Sequence, residues 1–430
     1  MKTFTTLSTI LVAAGLPMSA QSAVTEFVPF NNFMERTASA SAMHVHGPQS
    51  RVKGAAEFDE MKRHLTTMYE GIQVSHSFVK DASHFDCIPV GQQPSVRVLG
   101  LDAIATPPPA VTSMPGSANL AKQAAQVDRA KSTADEFGNA IGCQAFEIPV
   151  RRITLDEMTK FPNLRAFFDK KSAASEAAAT PAAPAPSHKY AYVQQAVNNL
   201  GGNSNISLWN PYVNTGLGEV FTLSQEWYVG GSGAALQTAE VGWQNFPAKY
   251  GSQNASLFIY FTADAYSTTG CYNLECAAFV QVAESGILGA GFDSVSTVGG
   301  DQQEFSARFS LYAGNWWLAI NDTWIGYYPG SIYKGGQMTK FAQEIKFGTE
   351  SVGTTVWPAE GSGEWSTSGW GNAAYQRNLF YADMNGMLLW DTLQPVNPSP
   401  ACYSASGPLS DSTAGWELYF FVGGPGGAGC

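Results

Sequence analysis

The spacing of apolar residues divides the chain into two textures. Phe58, Met61, Leu65, Met68 and Tyr69 fall three to four residues apart, which predicts a helix over residues 55–71 with one buried face. A second helix is predicted over residues 118–137, where alanine and charged residues dominate. Two short runs, 85–90 and 147–154, read as extended. Beyond residue 200 the helical period disappears. Short aromatic and β-branched runs such as 219–223, 256–261 and 416–422 alternate with clusters of Gly, Asn, Ser and Pro. That pattern predicts many antiparallel strands, hence a sandwich or barrel preceded by a small mixed domain.

Composition supplies the boundaries. Lys2, the apolar run 7–16 and the small residues Ser19, Ala20, Ser22 and Ala23 have the three-part pattern of a secretory signal. The run is well short of the roughly 20 residues a membrane span needs. Residues 171–187 are rich in Ala and Pro, with Pro181, Pro184 and Pro186 and no large apolar side chain. Such a stretch cannot bury enough surface to fold and reads as an exposed linker. The expected organisation is a signal peptide at 1–23, a small α+β domain at 24–170, the linker at 171–187, and a β domain at 188–430.

Six cysteines suit an oxidising, extracellular compartment. Spacing alone leaves 15 connectivities, and segregation along the chain favours Cys87–Cys143, Cys271–Cys276 and Cys402–Cys430. Beyond residue 188 there are seven Lys and Arg against eighteen Asp and Glu, which accounts for the whole net charge of −11. A domain so acidic argues against nucleic-acid or anionic-membrane partners and suits acid surroundings, where protonation relieves its self-repulsion.

No histidine lies beyond residue 188. On that count the β domain must work without an imidazole, which removes Ser-His and Cys-His triads and His-ligated zinc, and no metal or other cofactor is expected. Carboxylates remain. Strand alternation over 236–244 places Thr238, Glu240, Gly242 and Gln244 on one face and Ala239, Val241 and Trp243 on the other. Gly242 removes a side chain beside Glu240, which can leave room for a ligand's backbone. Over 340–350, Glu344 and Glu350 share a face, so alternation does not choose between them. Glu344 has Lys346 beside it, an ordinary solvated pair. Glu350 follows Gly348, a candidate bend or bulge that would re-aim it.

Several motifs then point the same way. Cys271-Tyr272-Asn273-Leu274-Glu275-Cys276, Gly314-Asn315-Trp316-Trp317, Ile325-Gly326-Tyr327-Tyr328-Pro329, Tyr375-Gln376-Arg377-Asn378 and Gly423-Gly424-Pro425-Gly426 resemble the neprosin family. Residues 239–244 and 347–351 resemble its two catalytic-glutamate motifs. Cys87, Cys143 and the run 148–154 resemble the activation domain that precedes them. The chain departs from the family pattern at Ala239 and at Phe347-Gly348-Thr349, changes that bear on substrate preference. The resemblance implies an antiparallel β-sandwich of jelly-roll or lectin-like kind, with Glu240 and Glu350 as the catalytic pair of a secreted, acid-acting glutamic peptidase cutting after proline. It also implies an inhibitory pro-domain, and proline-containing peptides or proteins as substrates. Pro181, Pro184 and Pro186 make the linker a candidate processing region. Gln244 and Trp243 are candidate substrate contacts. The rival readings are a two-carboxylate glycoside hydrolase and a non-catalytic secreted binding protein on a lectin-like sandwich.

Overall fold

The computed structural model describes residues 26–41, 50–52, 54–109, 133–170, 185–413 and 415–430. The signal segment, Pro181, Pro184, most of the linker and residues 118–132 of the second expected helix lie outside them. Residues 133–137, the rest of that span, form turn and bridge structure rather than helix.

The first domain is built as its pattern requires. Helix Ala55–Tyr69 buries Phe58, Met61, Leu65, Met68 and Tyr69. A three-stranded antiparallel sheet follows, His76–Lys80, Ser83–Pro89 and Glu147–Arg151, and Cys87–Cys143 staples it. The run 147–154 is extended only to Arg151. Thr154 then caps the short helix Leu155–Met158, exchanging hydrogen bonds with Glu157 in a capping box, which satisfies two amides left open at a helix start.

The rest is a mainly β sandwich. One sheet holds ten strands. The other holds six, in the order Gln394–Val396, Ser187–Asn199, Ala342–Gly353, Glu219–Gly230, Gln237–Asn245, Ser256–Thr262. Every pairing among the six is antiparallel. Alternation sends Tyr228, Val241, Trp243, Ile345 and Phe347 inward to a common core with Phe309 and Trp316 of the ten-stranded sheet. Trp243 is therefore core: it is fully buried and its indole N–H donates to Ser207 O at 2.8 Å. It forms no wall of a substrate site. Cys402–Cys430 ties the last residue of the chain to the body.

The two domains share their packing. Ile88, Ile148 and Val150 join the sandwich core, while Phe161 and Phe167 pack with Phe221, Phe246, Phe258, Tyr260 and Tyr272 on the outer face of the six-stranded sheet. The Gln93 side chain pairs with the main chain of Gln281, donating to its carbonyl at 2.8 Å and accepting from its N–H at 2.9 Å. Both sheets thus hold the first domain.

Three interior carboxyls set a pH dependence. Burial pushes Glu226, Glu360 and Asp391 well above the usual carboxylate range. A carboxyl whose value is raised in the folded state stabilises fully below its unfolded value, and that stabilisation is lost as pH rises towards the folded value. The melting temperature is therefore expected to fall as pH rises from about 4.5 towards neutrality. Calorimetry across that range checks it, and a Tm that climbs steadily instead would count against it.

Candidate active site

Strand register places the two glutamates on one face. Glu240 lies opposite Trp227 and Tyr260, and Glu350 lies opposite Leu223 and Tyr190. Glu344 sits further along the Glu350 strand, opposite Val229, and pairs with Lys346 at 3.0 Å. Between the rows of Glu240 and Glu350 stands Gln225, flanked in register by Gly242 and Gly348. Both glycines have a different role from the one their position suggested. A Cβ at Gly242 would lie 2.0 Å from Ser224 O, and one at Gly348 would lie 2.4 Å from Ala191 O. Neighbouring strands, not a ligand, fill that space. The ladders also run unbroken through Gly348, their irregularities lying at 342–344 and 352–353.

The decisive group comes from the first domain. Helix Leu164–Phe168 ends just before Lys170, whose side chain reaches into the sheet face. Its ammonium lies 2.6 Å from Glu240 Oε2 and 2.9 Å from Glu350 Oε2, and it donates to Gln225 Oε1 at 2.9 Å. All four side chains are buried. Each glutamate's second oxygen is also engaged. Glu240 Oε1 accepts from Thr238 Oγ1 and Tyr266 Oη, both at 2.8 Å. Glu350 Oε1 lies 2.6 Å from His188 Nδ1 and accepts from Tyr190 Oη at 3.4 Å.

His188 corrects the reading that no imidazole serves the β domain. It lies on the first strand, Ser187–Asn199, which begins inside the expected linker. Burial alone would raise the Glu350 carboxyl, but the Lys170 charge and the His188 hydrogen bond outweigh it and hold it down at about 2. Lys170 is shifted the other way: burial opposes its charge, and the two glutamates more than restore it.

A cavity of about 410 Å³ opens beside the pair, walled by Tyr192, Trp227, Val229, Leu236 and Tyr266. Gln244 does not line it. Gln244 lies on the Glu240 face but towards the first domain, buried, with its amide donating to Tyr272 Oη at 3.4 Å. Gln225 was missed in its place. Its signal was available: in Ser224-Gln225-Glu226-Trp227 the residues alternate between interior and outer face, which puts Gln225 and Trp227 on the side of Glu240.

Residues 218–425 match the family model described as Neprosin. The match assigns the β domain to the neprosin family. The match spans five of the six strands that carry the face, including Glu240, Glu350 and Gln225, and ends short of Lys170 and His188 on the N-terminal side. Among solved structures, the chain is similar to the crystal structure of scytalido-glutamic peptidase with a transition state analog inhibitor. The two are 7% identical, the match covers 55% of this chain and 98% of that one, and the TM-score is 0.32. A likeness this loose carries no argument about the site.

Proposed function

We propose that this chain is the precursor of a secreted glutamic peptidase that acts in acid and cuts after proline, with Glu240 and Glu350 as its reacting pair and residues 24–170 as its inhibitor. One observation carries the reading: a single buried ammonium, that of Lys170, is bonded to both carboxylates at once. Two carboxylates this close cannot both stay charged without a cation, so when Lys170 leaves they hold one proton between them in acid.

The surroundings support one division of roles. Glu350, kept charged by the hydrogen bond from His188, takes a proton from water as the water oxygen adds to the scissile carbonyl carbon. Glu240 carries the shared proton and gives it to the leaving nitrogen as the C–N bond breaks. The Gln225 amide, freed from Lys170, donates to the carbonyl oxygen as charge builds there. The aromatic walls of the adjoining cavity suit the flat, apolar ring of proline. The linker prolines present the same chemistry in the chain itself, and cleavage there would separate inhibitor from enzyme.

The test is cleavage of a proline-containing peptide series by the full chain after acid processing, from about pH 2 to about pH 8. Cuts on the carboxyl side of proline, confined to acid, are expected. No cleavage of any peptide by chains shown to have lost residues 1–170 would end the reading. Trp227→Ala is expected to raise KM for these peptides by about tenfold or more while leaving kcat nearer its original value. Equal KM values would take Trp227 out of the pocket.

A further inference from the structure

On the side of the glutamate pair away from the cavity, a second charged group lies under the first domain. Lys249 and Glu275 are buried and 2.7 Å apart. Lys249 sits at the end of the short helix Pro247–Tyr250, and Glu275 lies within the loop closed by Cys271–Cys276. The Lys249 ammonium donates to the main-chain carbonyl of Phe167 at 3.0 Å. It also lies 3.9 Å from the centre of the Phe167 ring and 4.6 Å from that of Tyr272. Phe167 is three residues from Lys170, whose backbone N–H donates to Tyr260 Oη at 3.3 Å and whose side chain fills the space between the glutamates.

Phe167, in the last turn of helix Leu164–Phe168, and Lys170 just beyond it thus put one residue at the reacting pair and another against Lys249 by ring and carbonyl together. Lys249, Glu275 and Tyr272 belong to the sandwich and remain when the first domain leaves. An ammonium fixed between a carboxylate and an aromatic face is suited to a π-face and a carbonyl oxygen at the same time.

Resting on the peptidase reading above, we propose that Lys249, Glu275 and Tyr272 form a subsite for an aromatic substrate residue on the side of the scissile bond away from the proline pocket. Lys249 binds the ring and main-chain carbonyl of that residue. Glu275 positions Lys249 and disfavours acidic side chains there.

The experiment uses acid-processed full chain and peptides with a fixed scissile proline, in which Phe or Ala occupies each successive position on both sides. At one position some three residues from the cut, Phe is expected to give at least about tenfold higher kcat/KM than Ala, most of it in KM. The double variant Lys249→Met with Glu275→Leu, which leaves no unpaired buried charge, is expected to lose that preference, so that Phe and Ala peptides give equal kcat/KM. Equal rates for Phe and Ala everywhere, or a preference that survives in the double variant, would overturn the proposal. A second measurement needs no enzyme variant. A synthetic peptide of residues 163–170 should inhibit the processed enzyme, and its Phe167→Ala form should inhibit at least about tenfold less; equal inhibition would also overturn it. If the wild type cuts no peptide at all, the peptidase reading falls and this subsite with it. Cleavage after proline without an aromatic preference removes the subsite alone.

Discussion

Glutamine in place of Glu240 or of Glu350 is expected to lower kcat on a proline-containing peptide by about a thousandfold or more, with KM little changed. The amide keeps the size of the carboxylate and still bonds to Thr238 and Tyr266 on one side, or to His188 and Tyr190 on the other. It cannot take up or release the proton that the reaction moves. Because the two carboxylates act on one proton, the double variant should be no worse than either single one. Single-turnover rates on enzyme freed of residues 1–170 separate this effect from any change in processing. Activity within tenfold of wild type in either variant would remove that residue from the pair.

Lys170→Met is expected to abolish latency. In the precursor Glu350 is held down at about 2, and Lys170 is the largest cause acting in that direction. The enzyme without Lys170 lacks that cause, so its carboxyl titrates higher. The sign follows: the hold of Lys170 is complete above the ordinary carboxylate range and weakens as pH falls towards about 2. Wild-type precursor should therefore process faster as pH drops from about 4.5. Methionine fills a similar volume but leaves two buried carboxylates without their cation, a loss on the order of 3–5 kcal/mol for a broken buried pair. Unprocessed Lys170→Met chain should cut a small peptide near pH 4.5, where wild-type precursor stays silent. If both stay silent while the processed forms are active, the ammonium is not what blocks the site.

The sequence made some of this legible and hid the rest for physical reasons. Strand alternation alone placed Glu240, Gln244 and Trp243 on their correct faces, because successive side chains of a strand point to opposite sides even though all of Gln237–Asn245 is buried. It could not say which end of that face is open, so Gln244 was given a role for which Gln225 is better placed. It could not separate Glu344 from Glu350 either, since both lie on one face of one strand. Motif resemblance made that choice, and in the structure Glu350, not Glu344, reaches Lys170. Lys170 itself carried no local signal. Its place is set by the docking of helix Leu164–Phe168 against Phe221, Phe246 and Phe258, more than fifty residues away. His188 was discounted for standing at a boundary, though that boundary is where the sheet begins. Gly242 was read as open space and Gly348 as a bend, and the sequence does not show how closely neighbouring strands approach either one.

The strand that carries His188 begins at Ser187, whose carbonyl accepts the Trp357 indole N–H at 2.9 Å. Anything fused ahead of that residue starts one position from an imidazole bonded to Glu350. A recombinant enzyme made without its first domain and carrying a purification tag at the front would hang the tag at the mouth of its own cleft. With Cys430 locked in a disulfide at the other end, affinity handles belong in an exposed loop such as that around Gly299 and Gly300, or must be removed before any rate is measured.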